Sequence, residues 1–145
     1  MLRVAISDRQ ARLKVDKKRL REAVRNVLSD AGYEQGEISV AIVDDPTIHE
    51  LNRKYLNHDY PTDVLSFLLS DEGDESIEGE VIVSADTAAN MAEQYSWSAD
   101  DELLLYVIHG TLHIAGYDDL EPELQQAMRE QERIQLARFN LSPRY

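Results

Sequence analysis

The 145-residue sequence contains no cysteine. That removes a disulfide framework, thiolate zinc and iron–sulfur ligation, so any metal must be held by His, Asp or Glu. Long hydrophobic runs are missing as well. Nowhere do roughly eighteen apolar residues follow one another, and Met1-Leu2-Arg3-Val4-Ala5-Ile6 opens no apolar stretch of signal length. The expectation is a soluble, cytoplasmic protein with no membrane partner. Positive charge is scarce: 15 Lys and Arg face 28 Asp and Glu, giving a net charge of -13 and a pI of about 4.6. Taken whole, that balance speaks against a nucleic-acid binder, whose footprint is usually a basic patch. Disorder is not the alternative, because 43% of the residues are hydrophobic and periodic segments run the length of the chain. The length suits a single domain over residues 1–145 with its own core.

The scarce positive charge is gathered at one end. Residues 1–26 hold nine basic side chains (Arg3, Arg9, Arg12, Lys14, Lys17, Lys18, Arg19, Arg21, Arg25) against three acids (Asp8, Asp16, Glu22). Two readings follow: a solvated helix face that balances the acidic body, or a local site for a polyanion.

Leu2 to Ser7 alternates and predicts a strand. Asp16 is a plausible N-cap for a helix to about Ala31, with Leu20, Val24, Val27 and Leu28 as its apolar stripe and Gly32 as its stop. Glu37 to Val43 predicts a second strand. Pro46 begins a helix lined by Ile48, Leu51 and Tyr55. After the loop Asn57–Asp63, residues Val64 to Leu69 are apolar on both faces and predict an interior strand. Asp71 to Glu78 is an acidic connection, with Asp71, Glu72, Asp74, Glu75 and Glu78, and reads as a mobile, solvated loop. Gly79 to Ser84 predicts a fourth strand in a hairpin with the third. Ser84 or Asp86 caps a helix through about Tyr95, and Ser98 caps the next. That next helix carries Leu103, Leu104, Tyr106, Val107 and Ile108, is apolar nearly all round, and is expected to be the buried central one. Pro122 opens a last helix to about Phe139, with Leu124, Met128, Ile134 and Leu136 on its apolar side. The fold class is α+β: about four strands in a mixed sheet, about five helices, and a metal site at the end of the central helix.

The metal reading starts from His109 and His113. Four residues apart on a helix, they share one face with about 5–6 Å between Cβ atoms. Helical histidine pairs at that spacing hold zinc in metallohydrolases. Such pairs also arise by chance, but here the helix is apolar, Gly116 permits a strained turn, and Asp118 and Asp119 follow it. Two imidazoles and one carboxylate with an open fourth position make a catalytic rather than a structural zinc set. Spacing alone does not choose between Asp118 and Asp119. Gly110 stands where His-Glu-x-x-His peptidases carry their general base, so peptide hydrolysis by that route is excluded. The remaining uses of a metal are to activate water or polarise an oxygen, as in a phosphodiester.

His109-Gly110-x-Leu112-His113-x-x-Gly116-Tyr117-Asp118 resembles the signature of the YbeY-type endoribonucleases, bacterial zinc-dependent single-strand-specific RNases that mature small-subunit ribosomal RNA. A second stretch, Leu51-Asn52-x-x-Tyr55 followed by Asp59-x-Pro61-Thr62-Asp63-Val64-Leu65-Ser66-Phe67, is similar to the family's other motif. Gly79 to Ser84, Tyr95, Glu102 and Glu132 fall in order, so the resemblance covers roughly residues 40 to 140. It implies one Zn²⁺ on His109, His113 and Asp119, with His109 also in the catalytic role. It implies single-stranded RNA as substrate, from the small ribosomal subunit, and a part in ribosome biogenesis. Three positions depart from the pattern. Asp119 stands for a ligand histidine, and its harder oxygen also admits Mn or Fe. Leu56 stands where the family usually has an arginine, for which Arg53 or Lys54 are the nearby substitutes. Glu80 stands for an aspartate. Thr62, Asp63 and Ser66 are expected to line a groove beside the metal, or else to serve a local turn. Two other readings stay open: a non-catalytic ribosome-associated module with a structural metal, and a metal-dependent hydrolase of a small molecule.

Overall fold

Two clusters of buried, mostly aliphatic residues, one on each face of a four-stranded sheet, decide how the chain wraps. The computed structural model describes residues 1–71 and 73–145. Its elements are β1 (Leu2–Asp8), α1 (Lys17–Asp30), β2 (Gln35–Val43), α2 (Asp45–Leu56), β3 (Val64–Leu68), β4 (Ser76–Ser84), α3 (Ala85–Tyr95), α4 (Ala99–Ile114) and α5 (Pro122–Ala137). The sheet order is β1-β2-β4-β3. β1 and β4 run parallel to β2, and β3 runs antiparallel to β4. This is the expected α+β arrangement of four strands in a mixed sheet with five helices.

Side chains alternate along β4, and that alternation makes two cores. Ile77, Val81 and Val83 join Leu20, Val24, Leu104, Ile108 and Leu112 in the large cluster under α1 and α4. Ile82 turns to the opposite face, where it meets Val43, Ile48 and Leu65 beneath α2. Helix α4 is buried on all sides: every residue from Glu102 to Ile108 is buried, as the absence of a polar face predicts. Among the described residues no helix is long and apolar enough to cross a membrane.

The helix starts follow the sequence. Asp16, Ser84 and Ser98 each accept from the backbone N–H three residues on, at 3.1, 3.1 and 3.0 Å. Asp44 does the same for α2, accepting from Thr47 at 2.9 Å.

Four expectations need correction. β3 is not interior but the edge strand, since only β4 is its neighbour. Its apolar faces are covered by α2 and α4 instead of by flanking strands, and apolarity reports covered faces, not neighbours. Tyr55 is 58% exposed; the buried polar partner on α2 is Asn52. On α5, Leu124 and Ile134 are exposed, while Met128, Glu132, Gln135 and Leu136 face inward. The acidic connection is also shorter than expected, because β4 begins at Ser76; Glu72 lies outside the described residues.

Four arginines of the basic N-terminal stretch are tied to the rest of the fold, while Arg3, Arg9, Lys14, Lys17 and Lys18 stay exposed. Arg19 bridges Asp100 and Asp101 at the start of α4, at 2.7 and 2.9 Å. Arg12 pairs with Asp86, and Arg21 and Arg25 donate to carbonyls of β1. The two aspartates in the first turn of α4 favour its positive end, and Arg19 relieves their mutual repulsion.

Candidate metal centre

Helix α4 ends at Ala115, and Gly116 takes φ +109. Its N–H bonds His113 O at 3.0 Å and that of Tyr117 bonds Leu112 O at 3.0 Å, a pair of bonds that closes the helix by reversing the chain. The reversal carries residues 118 and 119 back over the helix end. Asp118 Oδ1 accepts from the backbone N–H groups of Asp119 and Leu120, at 2.6 and 3.1 Å. That turn occupies Asp118 and leaves the Asp119 carboxylate facing the two imidazoles.

Three donor atoms meet there. His109 Nε2 and His113 Nε2 are 3.2 Å apart. Asp119 Oδ2 lies 3.6 Å from His109 Nε2, and Oδ1 lies 3.7 Å from His113 Nε2. Donor atoms of a tetrahedral zinc site with bonds of about 2.0–2.2 Å stand about 3.3–3.6 Å apart. The triad fits a metal without rearrangement, and all three side chains are partly exposed to an incoming fourth ligand.

The far nitrogen of His109 fixes which atom faces the triad. Nδ1 lies 3.1 Å from Oε2 of Glu132, whose side chain is 5% exposed. An ionised carboxylate only accepts, so Nδ1 carries the proton and Nε2 presents its lone pair. Burial pushes the His109 imidazole towards neutrality, but the Glu132 hydrogen bond and charge outweigh it, and its pKa is raised. Glu132 is held in turn: the Tyr145 hydroxyl donates to Oε1 at 2.8 Å. The Tyr145 phenol is pushed up to about 12, first by burial and then by that carboxylate, so it stays a neutral donor.

Gly110 does not face the triad. A Cβ there would stand 2.7 Å from Val81 Cγ1, 2.9 Å from Ser66 Oγ and 2.9 Å from Val64 Cγ2. The position is a contact between α4 and the sheet, with no room for the glutamate that a peptidase needs.

A cavity of about 440 Å³ opens beside His109 and Asp119. Thr62 and Asp63 line it together with Met91, Tyr95, Glu102, Tyr106, Gln125, Arg129 and Tyr145. Glu102 is 3% exposed, and Trp97 Nε1 donates to it at 2.7 Å. Burial raises its carboxyl pKa against the pull of Trp97 and Tyr106.

Other expected groove residues sit elsewhere. Ser66 Oγ donates to Gly110 O at 2.9 Å and braces β3 on α4. Arg53 pairs with Glu50, and Lys54 lies 5.3 Å from the Tyr55 ring centroid; neither reaches the cavity. Asp63 Oδ1 accepts from the backbone of Val64 at 2.8 Å, so the local-turn reading holds for it alongside its place on the wall. Arg129 and Tyr145 carry no sequence signal. Glu132 does: it is the polar member of the buried row Met128, Glu132, Leu136, and a buried acid in an apolar stripe asks for a partner.

A family model described as Endoribonuclease YbeY matches residues 5–140. The chain is 42% identical over 120 residues to Endoribonuclease YbeY of Salinibacter ruber, covering 78% of this chain and 76% of that one. It is 39% identical over 150 residues to the protein of the same name from Pelotomaculum thermopropionicum, covering 96% and 98%. With that of Rhodopirellula baltica it shares 50% identity over 103 residues, which is 70% of this chain and about half, 53%, of the relative. The solution structure of TM1509 from Thermotoga maritima superposes with a TM-score of 0.64 at 26% identity, covering 97% of this chain and 92% of that one.

Proposed function

This chain belongs to the endoribonuclease YbeY family, and we propose that it is a metal-dependent, single-strand-specific endoribonuclease. Its substrate in this reading is RNA of the small ribosomal subunit, cut in the cytoplasm during ribosome biogenesis. The observation that carries the reading is the convergence of His109 Nε2, His113 Nε2 and an Asp119 oxygen at the wall of the cavity.

His109, His113 and Asp119 hold one Zn²⁺, with Mn or Fe admitted by the carboxylate. Bound there, the ion supplies Lewis acidity to a phosphodiester oxygen or brings the pKa of its water to about 7. The chain's own part is placement. Glu132 holds the His109 tautomer, the Asp118 turn aims Asp119, and the cavity beside them admits an unpaired strand. Thr62 and Asp63 on its wall stand next to the bound strand.

The test is direct. Bound metal and cleavage of a single-stranded oligoribonucleotide are measured for wild type, His113→Ala and Asp119→Ala, with and without chelator. Loss of metal and of cleavage together in both variants supports the proposal. A metal-free protein that cleaves equally well in every form sinks it. Bound metal and a stable fold without cleavage indicate a ribosome-associated module instead.

A further inference from the structure

The cavity beside the triad is acidic. Asp63, Glu102, Asp119 and Glu132 all line it, and Arg129 is its one Lys or Arg among the described residues. A phosphodiester is an anion. In such a place it needs a cation besides any metal to offset the surrounding carboxylates.

Arg129 is arranged to be that cation. Its guanidinium carbon lies 4.2 Å from the centroid of the Tyr145 ring. The cation–π contact holds the guanidinium against the ring. Other arginines of the same region are spent: Arg133 pairs with Glu130 and Arg138 with Asp30. Among the described residues Arg129 forms no ion pair with a carboxylate, though it is half-buried on α5 one turn before Glu132. The same tyrosine donates to Glu132, the partner of His109. One ring therefore touches both the partner of His109 and the cation of the same cavity.

We infer that Arg129 is the phosphate-binding residue of this site, donating its guanidinium fork to a backbone phosphate of the bound single strand, with Tyr145 as its platform. The inference rests on the endoribonuclease reading and adds the group that grips the substrate. A guanidinium suits the task because two parallel N–H groups match two phosphate oxygens.

The experiment uses the full, zinc-loaded chain and a fluorescein-labelled single-stranded oligoribonucleotide. Single-turnover cleavage is followed against protein concentration at several KCl concentrations, and zinc affinity is measured by chelator competition. Arg129→Gln is expected to raise the half-saturating concentration about 10- to 100-fold, the worth of one charged hydrogen-bonding contact. Its salt dependence is expected to flatten by about 0.7 in logarithmic slope, the value for one phosphate on a single strand. Zinc affinity stays at the wild-type value. Arg129→Lys keeps the slope while binding less tightly, because the charge remains and the fork is lost. Arg129→Gln with the wild-type slope and half-saturation overturns the inference, as does a loss that follows zinc affinity. A wild type that cleaves no RNA at all sinks the endoribonuclease reading itself, a result separable from a silent Arg129→Gln in an active protein.

Discussion

His109 and Glu132 are 23 residues apart in sequence and 3.1 Å apart in space, Nδ1 against Oε2. The contact joins the most buried helix of the fold to the last one. It makes α5 part of the candidate metal site although α5 supplies none of the three possible donors.

Glu132→Ala is expected to weaken zinc binding roughly 10- to 100-fold, the usual cost of removing a partner that orients a ligand histidine. Glu132→Gln keeps an acceptor for the Nδ1 proton and falls between the alanine variant and wild type. Tyr145→Phe costs less than either. Chelator competition reads all three, and an alanine variant with wild-type affinity removes Glu132 from the site.

Asp119→Ala loses a direct donor, so its zinc affinity is expected to fall by more than the roughly 100-fold ceiling of an outer partner. Asp119→His tightens zinc and shifts preference away from Mn, because imidazole is the softer donor. Asp118→Ala acts differently: it frays the turn that aims Asp119 and costs less. Titration of the apo protein with Zn²⁺ and Mn²⁺ ranks the three, and a larger loss in Asp118→Ala identifies that residue as the donor.

Gly110→Ala sets two effects against each other. Helix propensity favours alanine by about 1 kcal/mol. The added methyl would meet Val81 and Val64 side chains and the Ser66 hydroxyl at 2.7–2.9 Å, and overpacking of this kind costs about 1–3 kcal/mol. Packing wins, and the melting temperature is expected to fall by several degrees. A rise would show that α4 can lift off the sheet without loss.

Glu102 gives a pH-dependent prediction. Its carboxyl pKa is raised in the folded protein, chiefly by burial. The folded state therefore holds the proton more tightly than the unfolded one. The stability this brings is fully present below the unfolded pKa and is lost as pH rises through the folded value. Glu102→Gln removes that loss while keeping an oxygen for Trp97. Thermal melts are expected to show the variant more stable than wild type by a few degrees at pH 8, with the difference shrinking towards pH 5. An advantage that grows on acidification contradicts the assignment.

The triad was legible because it is local. His109, His113 and Asp119 fall within eleven residues, and helix spacing plus one glycine turn suffices to bring them together. Choosing Asp119 over Asp118 needed the backbone hydrogen bonds of the turn, which no spacing rule specifies. The four strands and five helices were legible from periodicity and caps. The place of β3 at the edge was not, because an apolar strand looks the same whether strands or helices cover it. The part of the cavity lining that comes from α5 and the C-terminal segment was illegible for a tertiary reason. Arg129, Glu132 and Tyr145 reach it only because α5 packs on α4 and the segment after it folds back. On α5 the residues 124 and 134 were expected inside, and it is Glu132 that faces in.

The outer side of β3 has one further consequence. Its backbone N–H and C=O groups have no neighbouring strand among the described residues, and Leu68 and Leu69 beside them are 47% and 63% exposed. Such an edge is a template for a second copy to stack upon. Directly after it the chain places Asp71, Asp74 and Glu75. Two molecules approaching edge to edge bring these like charges together first. An acidic flank of this kind opposes pairing of two copies through the β3 edge.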